Sequence, residues 1–415
     1  MTMSRNRAGN RAEDRPAGLD GIDLLAETWE RGVPYEQFAR LRREAPVHWH
    51  PEPAGRGFWA ITRHADVRAV SRDAATFSSE LGGTLLSDQD EETLAQLRLS
   101  ILNMDPPRHN RYRRIVSRAF TPGVVARMVD DIERRAAAVV DEVCERGSCE
   151  FVGDVAARVP IQTIGALLGL GPDVWPRLYE LSNDLVSGTD AAPAAAMEIY
   201  VLCDEVASRR RAHPADDLTS ALVAAEVDGE RLDDFEVGMF FLTLVVTGNE
   251  STRNLINHAV LALAEHPAEA ERLRRDPSLW TTGVEELLRW GTSVVGFRRT
   301  ATRDTELRGV PIAEGDKVVL YYTSANRDED VFAEPERFDV ARSPNDHLSF
   351  GGGGVHQCLG ASLARAQIGA TVRQVAERLP DLAPSGPVTR LRSEVMNGIT
   401  AMPVTFTPTR RLGVG

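Results

Sequence analysis

Lysine and arginine are in deficit in this 415-residue chain: 48 basic side chains face 61 acidic ones, a net charge of −13. That balance argues against a nucleic-acid partner, whose phosphates need a basic surface. Cysteine is scarce too, with four in all, and the spacing of Cys144, Cys149, Cys203 and Cys358 fits neither a zinc site nor a disulfide framework. A reducing, cytoplasmic compartment is therefore expected. No apolar run reaches the length of a membrane span, no signal peptide is visible, and no internal repeat is apparent. What remains is ordinary globular composition, 42% hydrophobic and 26% charged. Residues 1–18, rich in Arg, Asn, Gly and Ala, read as a disordered tail, and 19–415 as a single domain.

The periodicity is mostly helical, with a smaller sheet part. Helices are expected over Pro34–Ala45, His64–Ser71, Pro107–Ala119 and Val124–Arg146, with two more flanking Ser187–Ala195. The longest runs from Asp233, with Asp233 or Asp234 able to cap it, to about His266, where His266-Pro267 ends it. Val47–His50 and Gly57–Thr62 read as a strand pair. Phe297–Arg303, Val310–Ile312 and Lys317–Tyr322 read as short strands after Trp290. A loop containing Gly82-Gly83 lies between the early helices, and a final helix covers Ala361–Leu379.

Chemistry first suggests itself at Phe350-Gly351-Gly352-Gly353-Gly354-Val355-His356-Gln357-Cys358-Leu359-Gly360. The segment delivers one thiol to a helix N-terminus, where backbone N–H groups and the helix dipole favour thiolate. Glycines let a flat group approach the main chain because no Cβ intervenes. One thiolate in such a cradle suits an axial ligand to haem iron, whereas zinc needs more ligands. The segment by itself leaves open a glycine-rich surface turn with an incidental buried cysteine.

Three further features stand apart from it in sequence. In the longest helix, Thr247-Gly248-Asn249-Glu250-Ser251-Thr252 interrupts the apolar periodicity. Ser251 is placed to bond the Thr247 carbonyl, and the stretch reads either as a polar notch for proton delivery or as a packing glycine with Glu250 in solvent. Glu286 and Arg289 sit three apart on one helix face, with Arg337 a candidate third member. His109, Arg113, Arg299 and His356 are four candidate donors to carboxylates.

In this order along the chain, from about Pro34 to Val404, the motifs resemble those of the cytochrome P-450 family of haem-thiolate monooxygenases, in the soluble bacterial style. The resemblance implies a mainly α fold with a smaller β part, haem lying between the long central helix and the Cys-loop helix. Cys358 would be the proximal thiolate and metal ligand. His109, Arg113, Arg299 and His356 would bind the haem propionates, with Gly248, Phe350 and Gly360 also at the cofactor. Glu250 and Ser251 would govern proton delivery, beside Thr247. Glu286, Arg289 and Arg337 would brace the fold behind the haem. The pocket would draw on Leu85, Leu86, Phe240, Phe241, Leu244, Val294, Val295, Met396 and Ile399, core being the plain alternative for each.

Phe350 lies eight residues before Cys358, one more than usual in the family. That longer loop, and Gly248-Asn249-Glu250 through Arg253-Asn254, resemble an actinobacterial subgroup that hydroxylates sterols and branched lipids. Ser251 for the usual Thr, Thr247 for the usual Ala and Ser293 for a common Pro depart from the pattern on the expected substrate side. The resemblance thus implies a monooxygenase using haem b and dioxygen, with electrons from NAD(P)H through a ferredoxin reductase and a ferredoxin. The ferredoxin would dock on the basic cluster Arg108, Arg111, Arg114 and Arg118. A monomer without membrane anchor is expected, acting on a hydrophobic small molecule in secondary-metabolite tailoring. The alternatives are a catabolic sterol or branched-lipid hydroxylase, and a haem-based binder or gas sensor.

Overall fold

The computed structural model describes residues 19–413 apart from 26–28, 30–31, 54, 187–189 and 228; the tail expected over residues 1–18 lies outside them. The architecture is mainly helical with a smaller sheet part, as the sequence pattern implies.

The central helix, Asp234–Glu265, is unbroken over 32 residues, about 48 Å at 1.5 Å per residue. Its start is fixed by a capping box. The Asp233 carboxylate accepts the Glu236 N–H at 2.8 Å, and the Glu236 carboxylate accepts the Asp233 N–H at 3.0 Å. The next helix begins at Pro267, which has no N–H to continue the first. Helices Arg158–Leu167, Trp175–Val186, Ala192–Ala212, Trp280–Gly291 and Ala361–Arg378 all pack on the central helix. This explains why an apolar residue such as Phe241 or Ile256 is fully buried on it.

The main sheet has five strands, in the order Val47–His50, Phe58–Ile61, Lys317–Tyr321, Gly296–Ala301, Phe77–Ser78. Only the pairing of Phe58–Ile61 with Lys317–Tyr321 is parallel. The three inner strands are buried or nearly so along their whole length, so they lack a polar face. Val310–Ile312 does not join them; it pairs with Thr305–Leu307 in a separate hairpin. Inside the expected glycine loop a short helix forms, Glu91–Leu97, capped by Asp90.

Charged side chains are buried within the sheet. Lys317, the only lysine of the sequence, is 1% exposed. Its Nζ lies 2.6 Å from Glu52 and 3.0 Å from Asp88, and Arg298 on the neighbouring strand lies 3.0 Å from Asp88. Asp88 belongs to the loop after the third sheet strand, so this cluster ties the loop to the sheet.

Behind the Cys-loop helix, Glu286 and Arg289 form a fully buried bidentate pair at 2.7 and 2.8 Å. The expected third member is corrected. Arg337 points outward, 57% exposed, against Glu334. Arg342 takes the inner place, its Nε 3.1 and 3.2 Å from the two Glu286 oxygens. The reason is local: Arg337 offers its carbonyl inward, to Arg289 and Arg342, which turns its side chain to solvent. Asn345 and the Asp339 N–H also donate to Glu286, and Arg289 reaches the carbonyls of Asn326 and Pro335. A buried ion pair tolerates the low dielectric only when its lone pairs and protons are met in this way.

Candidate active site

Cys358 opens onto an internal cleft: its residue is solvent-accessible although it is surrounded by protein. Its N–H donates to the Phe350 carbonyl at 2.9 Å, which closes the loop. The Cys-loop helix begins three residues later, at Ala361. Burial pushes the Cys358 thiol pKa up, and the Gly360 N–H, Arg113 and Arg365 offset this only in part. The thiolate preference expected from the helix start is thus outweighed by desolvation. A bound cation restores the balance by holding the sulfur deprotonated.

The glycine run divides its work. Gly351, Gly353 and Gly354 have φ of 100°, 89° and 78°, a region that side chains disfavour. A Cβ on Gly352 or Gly354 would strike Ser71 at 2.5 or 2.4 Å, so these two dock the loop on helix His64–Arg72 and do not face the cleft. Gly351 and Gly360 are the open positions, with no atom nearer than 3.7 Å and none within 4 Å respectively.

Four basic groups converge beside the cysteine. The His109 and His356 rings lie 4.3 Å apart. Arg113 donates to the Gln357 carbonyl at 2.5 Å, and Arg299 donates to the Arg298 carbonyl at 2.8 Å. Burial and the facing charges of Arg299, His109 and Arg113 hold the His356 pKa down to about 2; burial, then Arg113 and Arg299, lower that of His109. Burial also lowers both guanidinium groups. Among the described residues neither Arg113 nor Arg299 has a carboxylate partner, and Asp105, the acid nearest Arg299, is held by Ser78 and the Ser79 N–H. Two desolvated guanidinium groups without anions, beside a thiol that wants a cation, fit a metal-bearing cofactor with acidic side arms. Haem b has that chemistry.

On the central helix, Thr243, Thr247 and Ser251 form a hydroxyl stripe at four-residue spacing, and Thr247 is exposed between half-buried Val246 and Gly248. Ser251 Oγ donates to the Thr247 carbonyl at 2.8 Å, as the spacing predicts, and Thr247 Oγ1 donates to the Thr243 carbonyl at 2.7 Å. Glu250 is buried, not in solvent. Arg253 pairs with it at 2.5 Å, and Asn254 Nδ2 donates to it at 2.9 Å. Arg253 also reaches Asn183, and Asn249 reaches Ser182, both on helix Trp175–Val186. Gly248 is a packing glycine: a Cβ there would stand 3.2 Å from Ile164, which fills the expected notch from behind.

Of the pocket candidates, Leu85, Leu244, Val294 and Met396 are at least partly open. The others are core. Phe241 and Ile399 are fully buried in the main cluster, Leu86 and Val295 in the one beneath the N-terminal helix, and Phe240 stacks on Tyr112 at 5.6 Å. Ser293 is buried as well. The sequence reading missed Arg365, which lies 4.6 Å over the Phe350 ring and pairs with Glu285 at 2.6 Å. Glu285, beside Glu286, carries the only available sign of that partnership. Arg365 and His347 draw the Glu285 pKa down to about 2 against its burial.

A thiol at the end of a glycine loop, anion-seeking cations around it and a long helix bearing hydroxyls define a haem-thiolate monooxygenase. The chain belongs to the cytochrome P450 family and is a monooxygenase; the family's sequence pattern matches residues 279–379. It is 38% identical over 407 residues to a steroid C26-monooxygenase of Mycolicibacterium smegmatis, covering 94% of each chain. It is 43% identical over 387 residues to a methyl-branched lipid omega-hydroxylase of Mycobacterium tuberculosis, covering 89% of this chain and 90% of the other. A cytochrome P450 of Mycobacterium marinum solved with pseudoionone superposes with a TM-score of 0.87 at 40% identity, covering 93% and 99%. The cofactor is haem b, with dioxygen as co-substrate and electrons derived from NAD(P)H. Enzyme identity sets aside the binder or gas-sensor alternative. Among the described residues no helix is long and apolar enough to cross a membrane.

Proposed function

We propose that the protein hydroxylates a steroid side chain or a methyl-branched lipid at a terminal carbon. The observation that carries this is the likeness, at 38–43% identity over nearly the full chain, to relatives named for those two reactions. It moves the reading from secondary-metabolite tailoring to what was the alternative. When bound, haem supplies dioxygen activation and C–H oxidation with two electrons. Cys358 holds the metal through its thiolate, with Gly360 N–H donating to the sulfur. Arg113 and Arg299 would answer the propionate charges, and the His109 and His356 imidazoles would add hydrogen bonds to them. Ser251 Oγ, already donating to the Thr247 carbonyl, offers its lone pairs to an incoming proton. Glu250 is the acid that replenishes it, and Thr247 shapes the opening beside it. Arg114 and Arg118, exposed on helix Arg108–Ser117 and the turn after it, serve a ferredoxin with an acidic face.

The test is a spin-state titration with steroid, branched-lipid and macrolide probes, followed by product analysis. Low-to-high-spin shifts with the first two and terminal hydroxylation are expected. A shift with the macrolide alone overturns the lipid reading and returns the protein to tailoring chemistry.

A further inference from the structure

Asn254 is fully buried on the central helix, one turn beyond Glu250. Its Nδ2 donates to Glu250 Oε1 at 2.9 Å and to the Glu250 carbonyl at 3.0 Å, while its Oδ1 accepts the Ile399 N–H at 2.9 Å. A single side-chain amide thus joins the acid to the turn Met396–Ile399. Few side chains do this, since one terminus must donate and accept at once.

That turn is clamped from two sides. His258, one turn further along the central helix, donates from Nε2 to the Asn397 carbonyl at 2.8 Å. Across from it, Asn397 donates from its N–H to the Ser293 carbonyl at 2.8 Å and from Nδ2 to the Gly291 carbonyl at 3.1 Å. Val294 and Met396, both partly open, form a bridge between the segments. Gly398 has no room for a Cβ, with Leu391 Cβ at 2.8 Å, so the turn lies close against the Leu391 segment. Among the described residues, the Asn254 bonds run on from the turn to Glu250, while Asn257 Nδ2 adds a bond to the Ile399 carbonyl at 3.4 Å.

We infer that Asn254 is a positioning residue that couples the turn 396–399, of which Met396 is partly open, to the Glu250 carboxylate, so that substrate pressing on Met396 sets the acid for proton delivery. This rests on the reading of Glu250 as proton donor. Arg253 competes for the same carboxylate at 2.5 Å. A shift of Asn254 alters how the acid is shared between the two.

Three variants separate the links. Asn254→Leu removes all three bonds, Asn254→Asp keeps the acceptor for Ile399 but sets a second carboxyl against Glu250 so that the two share a proton, and Glu250→Gln keeps an acceptor for Asn254 but is no acid. Amide hydrogen exchange over residues 396–400 is read with and without haem, and product formed per NAD(P)H with pseudoionone as probe. Exchange is expected to rise about tenfold in Asn254→Leu and to stay unchanged in the other two. Product per NAD(P)H is expected to fall severalfold in all three, the difference appearing as peroxide. Full coupling in Glu250→Gln overturns the relay reading beneath the inference. Loss there with full coupling in Asn254→Asp, or unchanged exchange in Asn254→Leu, overturns the tether itself. If Asn254→Leu does not accumulate, coupling in Asn254→Asp decides alone.

Discussion

Replacing Arg342 with Ala should destabilise the protein far more than replacing Arg337. Arg342 is 10% exposed and gives two hydrogen bonds, at 3.1 and 3.2 Å, to a carboxylate that is fully buried. It also donates to the carbonyls of Ala333, Glu334 and Arg337. Hydrogen bonds to charged groups contribute about 1.5–3 kcal/mol each. The two here share one nitrogen, and the freed carbonyls lie near enough to the surface for water to reach. The loss is therefore about 3 kcal/mol, for a chain this long a fall of about 3 °C in Tm. Arg337→Ala removes an exposed pair with Glu334, 57% and 71% exposed, and a long one with Asp339 at 3.9 Å, and should change stability by less than about 0.5 kcal/mol. Urea unfolding of the haem-loaded proteins, followed by far-UV circular dichroism and Soret absorbance, measures both. Arg342→Lys should recover part of the loss, because one donor still reaches Glu286. An Arg337→Ala protein as unstable as Arg342→Ala would refute the arrangement.

His258 predicts a pH dependence. Full burial, with Arg390 adding to it, lowers its pKa from 6.5 to about 4, so the folded state holds it neutral. Below the unfolded value of 6.5 the unfolded chain binds the extra proton first. The contribution is thus whole above about pH 6.5 and fades as pH falls to about 4, a loss of about 3 kcal/mol. Urea midpoints of the wild type and His258→Gln across this range should converge as the pH drops; parallel curves would contradict the assignment. Ser251→Ala should consume more NAD(P)H per product and release peroxide, which a peroxide assay reads against product yield; unchanged coupling would remove Ser251 from the proton path. Reversing charge in an Arg114→Glu/Arg118→Glu protein should slow reduction by an acidic ferredoxin severalfold at low salt and little at high salt. Equal slowing at all ionic strengths would rule out electrostatic docking there.

The residues that were legible in the sequence are those whose spacing is itself the signal. Asp233 caps the helix start, Ser251 stands one turn after Thr247, and Glu286 and Arg289 share a helix face. Each rests on helix geometry alone. Arg342 and Arg337 could not be told apart, because which one turns inward depends on how an irregular loop directs its carbonyls. Gly352 and Gly354 looked like openings for a ligand, yet the helix carrying Ser71 fills both places. The pocket was the least legible part. Leu244 and Phe241 sit on the same helix with similar side chains, and only packing by neighbouring helices leaves one partly open and closes the other. The net effect on Cys358 was equally hidden, since burial outweighs the neighbouring charges and no local pattern reports burial.

The solitary lysine has a practical consequence. Lys317 lies inside the sheet between Glu52 and Asp88, so the folded chain displays no side-chain amine to acylating reagents. A partner docked beside Arg114 and Arg118 will escape lysine-directed cross-linkers from this side, and mapping that face calls for dicarbonyl reagents selective for guanidinium. The same burial makes the amine a built-in clock. Acylation of Lys317 requires the sheet or its covering loop to open, so its rate, read as the mass added to the peptide that carries Lys317, times that opening without any introduced label.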